Sequence, residues 1–343
     1  LIKNGHSRHL KSCHSNQEEE MKVTRREFLK YCTASAAALG LTSSLGPLAK
    51  ALAAGSGPPI IWLSASSCTG CTISLANRIS GSAPVDLADL LINTIDLAYH
   101  PNLMGASGDL AVQKLRTVDD GSFILAVEGG IPTIYNGKTC ILWSENGIDV
   151  TAMAAVKELA AKAARVLSIG TCAAYGGIPG GAPNPTAVKG VKALTGRTNI
   201  INIPGCPPHP DWIVWTIAQL LAGNNPSLDS SGRPTTLFGS TVHSKCPRRE
   251  KDWANSLSQT GLCLNNLGCK GQQTYADCPT RKWNNGVNWC VGADSLCNGC
   301  TQSTFPDQFA PLFSTMGALP RDHDGVSVNP PRTTCTTCHG RED

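Results

Sequence analysis

"ARVLSIGTCAAYGG", residues 164–177, fixes how the first half of the chain is built. Val166, Leu167 and Ile169 form a short apolar run that stops at Gly170, which reads as a buried strand ending in a tight turn, and Cys172 sits on the loop that leaves it. The preceding "DVTAMAAVKELAAKAA" (149–164) has the 3.6-residue apolar spacing of a helix. Helix then buried strand is half of a βαβ unit, and the pattern repeats in both directions. "PPIIWLSAS" (58–66), "LINTIDLAY" (91–99), "FILAVEGG" (123–130) and "TNIINIPG" (198–205) read as further strands, and "DWIVWTIAQLLAG" (211–223) as a further helix. Alternating strands and helices predict an α/β fold with a parallel sheet.

All carboxyl ends of a parallel sheet lie on one edge, where ligands bind. Three of these ends carry cysteine: "SSCTGC" after the first strand (Cys68, Cys71), "TCAAYGG" (Cys172) and "CPPHP" (Cys206). Four thiolates from three loops can converge on one cluster, and Gly70, Gly170, Gly176, Gly177 and Gly205 let the backbone turn tightly and approach it. A redox dithiol or half a zinc site is the alternative for Cys68 and Cys71 taken alone.

From about Phe238 the periodicity gives way to Gly, Pro, Asn and Cys. Two further four-ligand sets stand there. Cys278, Cys290, Cys297 and Cys300 contain only one close pair, which suits an iron-sulfur cluster better than a zinc ribbon with its two. His243, Cys246, Cys263 and Cys269 add a histidine, which lowers the negative charge at such a site and tunes its potential. With 34 Gly, 22 Pro and 5% aromatics beside 16 Cys, the second half reads as a backbone folded around cofactors. Paired disulfides in a secreted binding protein are the competing use of an even number of cysteines. A net charge of +4 with 16% charged residues gives no nucleic-acid-binding footprint.

Met21 opens "MKVTRREFLKYCTASAAALGLTSSLGPLAKALAAG": paired Arg25 and Arg26, a weak apolar run, then Ala49, Ala51 and Ala53 as cleavage positions. This is the pattern of a twin-arginine export signal over 21–53, with 1–20 as an upstream extension and the periplasm as destination. Such export carries proteins already folded in the reducing cytoplasm, which favours metal over disulfide for the thiols. At the other end, "RTTCTTCHGRED" places Cys335, Cys338 and His339 in the spacing of a c-type haem attachment site, with His323 and Met316 as the nearest second ligands. A tail disulfide is the alternative.

Taken jointly, "CTGC", "VEGGIPT", "GTCAAYGG", "PGCPPHPDW", "HSKC", "GCKGQQTYADC" and "RKWNNGVNWC" make the chain resemble the small, electron-transferring subunits of periplasmic nickel-iron hydrogenases, and in motif their nickel-iron-selenium branch. The likeness runs from about Pro59 to Phe313. It implies a flavodoxin-like domain over 58–236, an irregular domain over 237–315 that binds iron-sulfur clusters, and a tail over 316–343. It further implies a proximal 4Fe-4S cluster on Cys68, Cys71, Cys172 and Cys206, a medial one on Cys278, Cys290, Cys297 and Cys300, and a distal one on His243, Cys246, Cys263 and Cys269. The implied partners are a large subunit holding the nickel-iron centre and a multihaem or membrane cytochrome as acceptor.

Some positions refine the resemblance. Many members have proline where this chain has Cys290 and hold a three-iron medial cluster; the fourth thiol implies four irons here. Oxygen-tolerant relatives carry extra cysteines where Gly70 and Gly177 stand. Ser67 replaces a glutamate of many relatives, Glu128 is retained for a proton path or for structure, and Cys140 matches no ligand position.

Overall fold

The computed structural model describes residues 58–312. Seven strands are present among them: β1 (Ile60–Ser64), β2 (Leu97–Tyr99), β3 (Ile124–Glu128), β4 (Ile141–Glu145), β5 (Ile148–Thr151), β6 (Arg165–Ile169) and β7 (Ile200–Ile203). Five form one sheet in the order β2-β1-β3-β6-β7, with every neighbouring pair parallel. Leaving out the β4–β5 hairpin, this is the flavodoxin-like order 2-1-3-4-5. The expected α/β class is the one observed.

Register explains why the sheet can build a site. Ser64 pairs with Glu128, Glu128 with Ile169, and Ile169 with Ile203. The four strands therefore end level, and the loops after them start from one line.

Both faces of the sheet are covered, so its strands read as continuous apolar runs rather than alternating ones. One face presents Ile60, Trp62, Ile124, Ala126, Leu167, Ile169, Ile201 and Ile203 to α7 (Pro210–Leu221), where Trp212, Ile213 and Ile217 are buried. The other presents Ile61, Leu63, Leu125, Val127 and Val166 to α3 (Asp109–Arg116) and α4 (Ala152–Lys162) through Leu115, Val156 and Leu159. Helix starts are capped as physics requires: Thr151 accepts from Ala154 N at 3.1 Å at the head of α4, and His209 accepts from Asp211 N at 3.1 Å at the head of α7, where Pro210 takes the first turn.

Two sequence expectations need correction. In "LINTIDLAY" only Leu97–Tyr99 is strand, since Leu91–Asn93 belongs to α2 (Leu87–Asn93). Asp86 caps that helix by accepting from Asp89 N at 2.8 Å, and Leu90 is buried on its inner face. Likewise Asp149–Thr151 lies in β5 rather than in the following helix, because Asn146 and Gly147, at φ 53° and 76°, turn the chain into a hairpin with β4.

Past α8 (Thr235–Phe238) the regular structure of the described residues shrinks to single turns, among them His243–Lys245, Asn265–Leu267, α9 (Cys278–Arg281) and Val291–Ala293. This part packs onto the α7 face of the sheet domain, adding Leu264, Leu267, Trp289 and Leu296 to the core around Trp212 and Phe238. A seam of buried charge pins it there. Arg281 binds Asp277 at 2.7 Å and approaches Asp211 of α7 at 3.6 Å, while Arg78 reaches Asp211 at 3.2 Å and Trp212 Nε1 donates to Asp277 at 2.7 Å.

Candidate metal centres

The strand ends bring the first four cysteines together. Cys68 precedes α1 (Gly70–Ala76), Cys71 lies in it, Cys172 lies in α5 (Gly170–Tyr175), and Cys206 follows β7. Burial pushes the Cys71 thiol far above its usual pKa, and the nearby charges of Glu128, Cys172, Cys68 and Cys206 push it the same way. That mutual influence places the four side chains in one neighbourhood. Two glycines make room for it: a Cβ on Gly170 would stand 2.5 Å from Cys71 Sγ, and one on Gly177 would stand 2.8 Å from Cys172 Sγ, each with φ in the left-handed region (85° and 54°). Side chains at these positions would collide with the thiols and strain the turn.

Beside this set lies a buried polar network. The Glu128 carboxylate, fully buried, accepts from Trp62 Nε1 (3.1 Å), Ser67 Oγ (2.9 Å), the backbone N–H of Cys71 (3.1 Å) and Thr72 Oγ1 (2.5 Å). Thr72 Oγ1 also meets His100 Nε2 at 3.3 Å. Burial holds the pKa of His100 down at about 4 against the opposing pull of Glu128, so the ring is neutral near pH 7. Ser67, singled out in the sequence, serves here as a donor to Glu128. Neither Thr72 nor His100 was identified from sequence. The available signal was position: Thr72 follows a candidate ligand, and His100 directly follows β2 on the same sheet edge.

The second set gathers in the irregular half. Cys278 is raised well above its usual value by burial and then by Cys300, Cys297, Asp277 and Cys290. Cys297 and Cys300 are both pushed up to about 12, burial being the largest cause in each. For the third set, burial raises Cys263, with Cys269 and Cys246 adding to it, and Cys246 feels Cys269 in turn. The backbone of His243 passes close by: a Cβ built on Gly271 would lie 3.5 Å from the His243 backbone nitrogen and 3.6 Å from Cys269 Sγ.

The three sets are also linked in series. Cys206 of the first raises Cys300 of the second electrostatically. Thr171 Oγ1 donates to the Cys300 carbonyl and accepts from Gly205 N at 2.9 Å, joining two strand-end loops to the second set. Cys269 of the third set raises both Cys290 and Cys297 of the second, and Lys270 N donates to Cys297 O at 2.7 Å.

Every cysteine among the described residues is a free thiol. No three His, Cys, Asp or Glu side chains among those residues close tightly enough to hold one ion. The sets are thus spread more widely than the ligands of a single zinc, which lie about 2.0–2.3 Å from one point. Eleven thiols and one histidine, partly buried and grouped in fours, are a donor set that fits iron-sulfur clusters, in which each thiolate takes a different iron. Cys140 stands apart, half-buried against the α3–α4 face of the core, with its thiol raised by burial. The export signal and the tail bearing Cys335, Cys338, His339, His323 and Met316 lie outside the described residues. No described helix is long and apolar enough to cross a membrane.

Comparison with known proteins agrees with this geometry. Residues 68–220 match the family model "NADH ubiquinone oxidoreductase, 20 Kd subunit", and residues 238–313 match the model for the C-terminal part of the "NiFe/NiFeSe hydrogenase small subunit". The chain is 37% identical to the periplasmic NiFeSe hydrogenase small subunit of Desulfomicrobium baculatum, over 85% of this chain and 99% of that one. It is 38% identical to the periplasmic NiFe hydrogenase small subunit of Solidesulfovibrio fructosivorans, over 85% and 93%. The solved recombinant NiFeSe hydrogenase from Desulfovibrio vulgaris Hildenborough superposes with a TM-score of 0.72 at 39% identity, covering 76% of this chain and 99% of that chain.

Proposed function

The chain belongs to the small-subunit family of nickel-iron and nickel-iron-selenium hydrogenases, and from that premise we propose that it carries electrons between the active site of a hydrogenase large subunit and a cytochrome acceptor. The observation that supports this reading best is the set of contacts joining the three ligand sets in series, Thr171 Oγ1 with Gly205 N and the Cys300 carbonyl at one junction and Lys270 N with the Cys297 carbonyl at the other. Three 4Fe-4S clusters would be held by Cys68, Cys71, Cys172 and Cys206 (proximal), by Cys278, Cys290, Cys297 and Cys300 (medial), and by His243, Cys246, Cys263 and Cys269 (distal). When bound, each supplies a one-electron redox centre.

The residues of the chain do the rest. Cys297 is buried and Cys278 and Cys300 are half-buried, while Cys290 of the same set is exposed, so the middle of the relay is shielded from water on one side only. Glu128 adds a fixed carboxylate beside Cys71 and opposes further negative charge there. Cys68 and Cys206 are exposed at the carboxyl edge of the sheet. Ile73, Tyr135 and Ile178, on the connections leaving β1, β3 and β6, are more than half exposed. Apolar side chains gathered at such an edge suit coverage by a large subunit. The relatives named periplasmic support export, for which the Arg25–Arg26 signal is the proposed route.

The test is a count of iron and acid-labile sulfide per chain on the purified mature heterodimer. Three cubanes give about twelve iron, a three-iron medial site about eleven, and a disulfide protein none. A pyridine haemochrome spectrum of the same sample tests the Cys335, Cys338 and His339 motif, and the N-terminal residue of the mature chain tests removal of the signal.

A further inference from the structure

Charge is unevenly distributed along the chain. Between His243 and Tyr275, the stretch that carries the third ligand set, stand five cations, Lys245, Arg248, Arg249, Lys251 and Lys270, against two acids, Glu250 and Asp252. Arg248 is held on this rim: its N–H donates to Cys246 Sγ at 3.4 Å, and its guanidinium pairs with Asp294 at 2.6 Å. Arg249 pairs with Glu250 at 2.9 Å, both still partly exposed. Lys245 and Lys251 are exposed and Lys270 is half-buried, and none of the three makes an ion pair with a described residue. The stretch Asp86–Asp120 beside β2 is the reverse, with six acids and two cations. With a net charge of only +4 for the whole chain, the basic rim is a local feature.

We infer that this rim is the docking surface for an acidic redox protein, the anionic face of which meets Lys245, Arg249, Lys251 and Lys270 around the outermost ligand set. The inference rests on reading His243, Cys246, Cys263 and Cys269 as the end of the relay. Charge of one sign around an exit point steers a partner of the opposite sign, raising the encounter rate by roughly 10- to 1,000-fold at low salt. The electron balance is simple: one dihydrogen gives two protons and two electrons, and two one-electron acceptors are reduced in turn. An anionic lipid surface would also be attracted, but it accepts no electrons, and the cations stand within five residues of Cys246 or next to Cys269, ligands of the set from which electrons must leave.

The test uses the intact heterodimer and one haem protein in two charge states: native basic mitochondrial cytochrome c, and the same cytochrome made acidic by succinylation of its lysines. Binding is measured by surface plasmon resonance without hydrogen, and reduction is then followed under hydrogen. At about 10 mM ionic strength the acidic form is expected to bind, and to be reduced, at least about 10-fold better than the basic form, and the difference should shrink at about 0.5 M, where the Debye length falls below 5 Å. The triple variant Lys245→Glu, Arg249→Glu, Lys251→Glu should reverse the preference, the milder Gln triple should abolish it, and Lys157→Glu on α4 should leave it unchanged. Equal or tighter binding of the basic form overturns the inference. So does a charge-reversal variant that loses only its hold on anionic vesicles, which assigns the rim to a membrane. Loss of hydrogen-dependent reduction of a small uncharged dye would instead count against the hydrogenase reading, with the binding arm still deciding the charge preference.

Discussion

The sheet domain and the cysteine-rich part after Gly239 are held together by different means. In the first, strands buried on both faces supply two apolar layers, and thiols occur at the strand ends without being needed to hold them level. In the second, apolar side chains such as Leu264, Trp289 and Leu296 serve mainly to seat the segment on α7, and its own interior is largely thiol. Buried thiols with pKa values near 12 are protonated at neutral pH and offer little cohesion. Iron bound as proposed would displace those protons and tie the surrounding loops together, so that metal-binding free energy would become folding free energy chiefly in that half.

The largest expected effect follows from that contrast. In protein from which iron has been withheld, backbone amides of 240–312 should exchange hydrogen within seconds, while β1, β3, β6 and β7 remain protected. Hydrogen-exchange mass spectrometry of apo and loaded samples reads this directly, and equal protection of 240–312 in both would show that metal does not hold the second half. The seam tests the same contrast. Arg281→Met leaves the partly exposed Asp277 without its cation, while Asp211 keeps Arg78, and should weaken docking of the second half by about 1–2 kcal/mol. Urea unfolding is expected to separate into two transitions, the cysteine-rich part melting first.

Within the sheet, Leu167→Ala opens a cavity in a fully buried strand and should cost about 2–5 kcal/mol. The expected loss falls on the transition of the first half, as followed by far-UV circular dichroism. His100 gives a pH dependence of similar size. The unfolded chain takes up a proton near pH 6.5, whereas the folded one resists until about 4. Unfolding is therefore favoured as pH falls through that window, by up to about 3 kcal/mol, and the stability is fully present above it. His100→Gln should flatten this part of the stability–pH curve relative to the parent protein; an unchanged slope would assign the acid sensitivity to other groups. The smallest change is expected from Cys290→Ala, which should lower iron by about one atom per chain while leaving both unfolding transitions nearly in place.

Much of this molecule was legible from residue order, because its signals are local. Apolar runs such as those at Ile60, Ile124, Val166 and Ile200 mark strands that are covered on both sides, and cysteines directly after them fall on the sheet's carboxyl edge by topology alone. What misled the reading was local chemistry passed over: Asp86 as a helix cap before "LADLLIN", and Asn146-Gly147 as a hairpin turn inside a stretch with helical spacing. Spacing and resemblance also grouped the ligands in fours. Resemblance also supplied their order, proximal, medial and distal; only the tertiary structure showed how the segments touch, as where Thr171 meets the Cys300 carbonyl and Lys270 N the Cys297 carbonyl, through packing of segments that share no periodicity. It alone revealed the Glu128–Thr72–His100 network and the Arg281–Asp211 seam, because a buried polar contact depends on which surfaces the apolar core leaves facing one another.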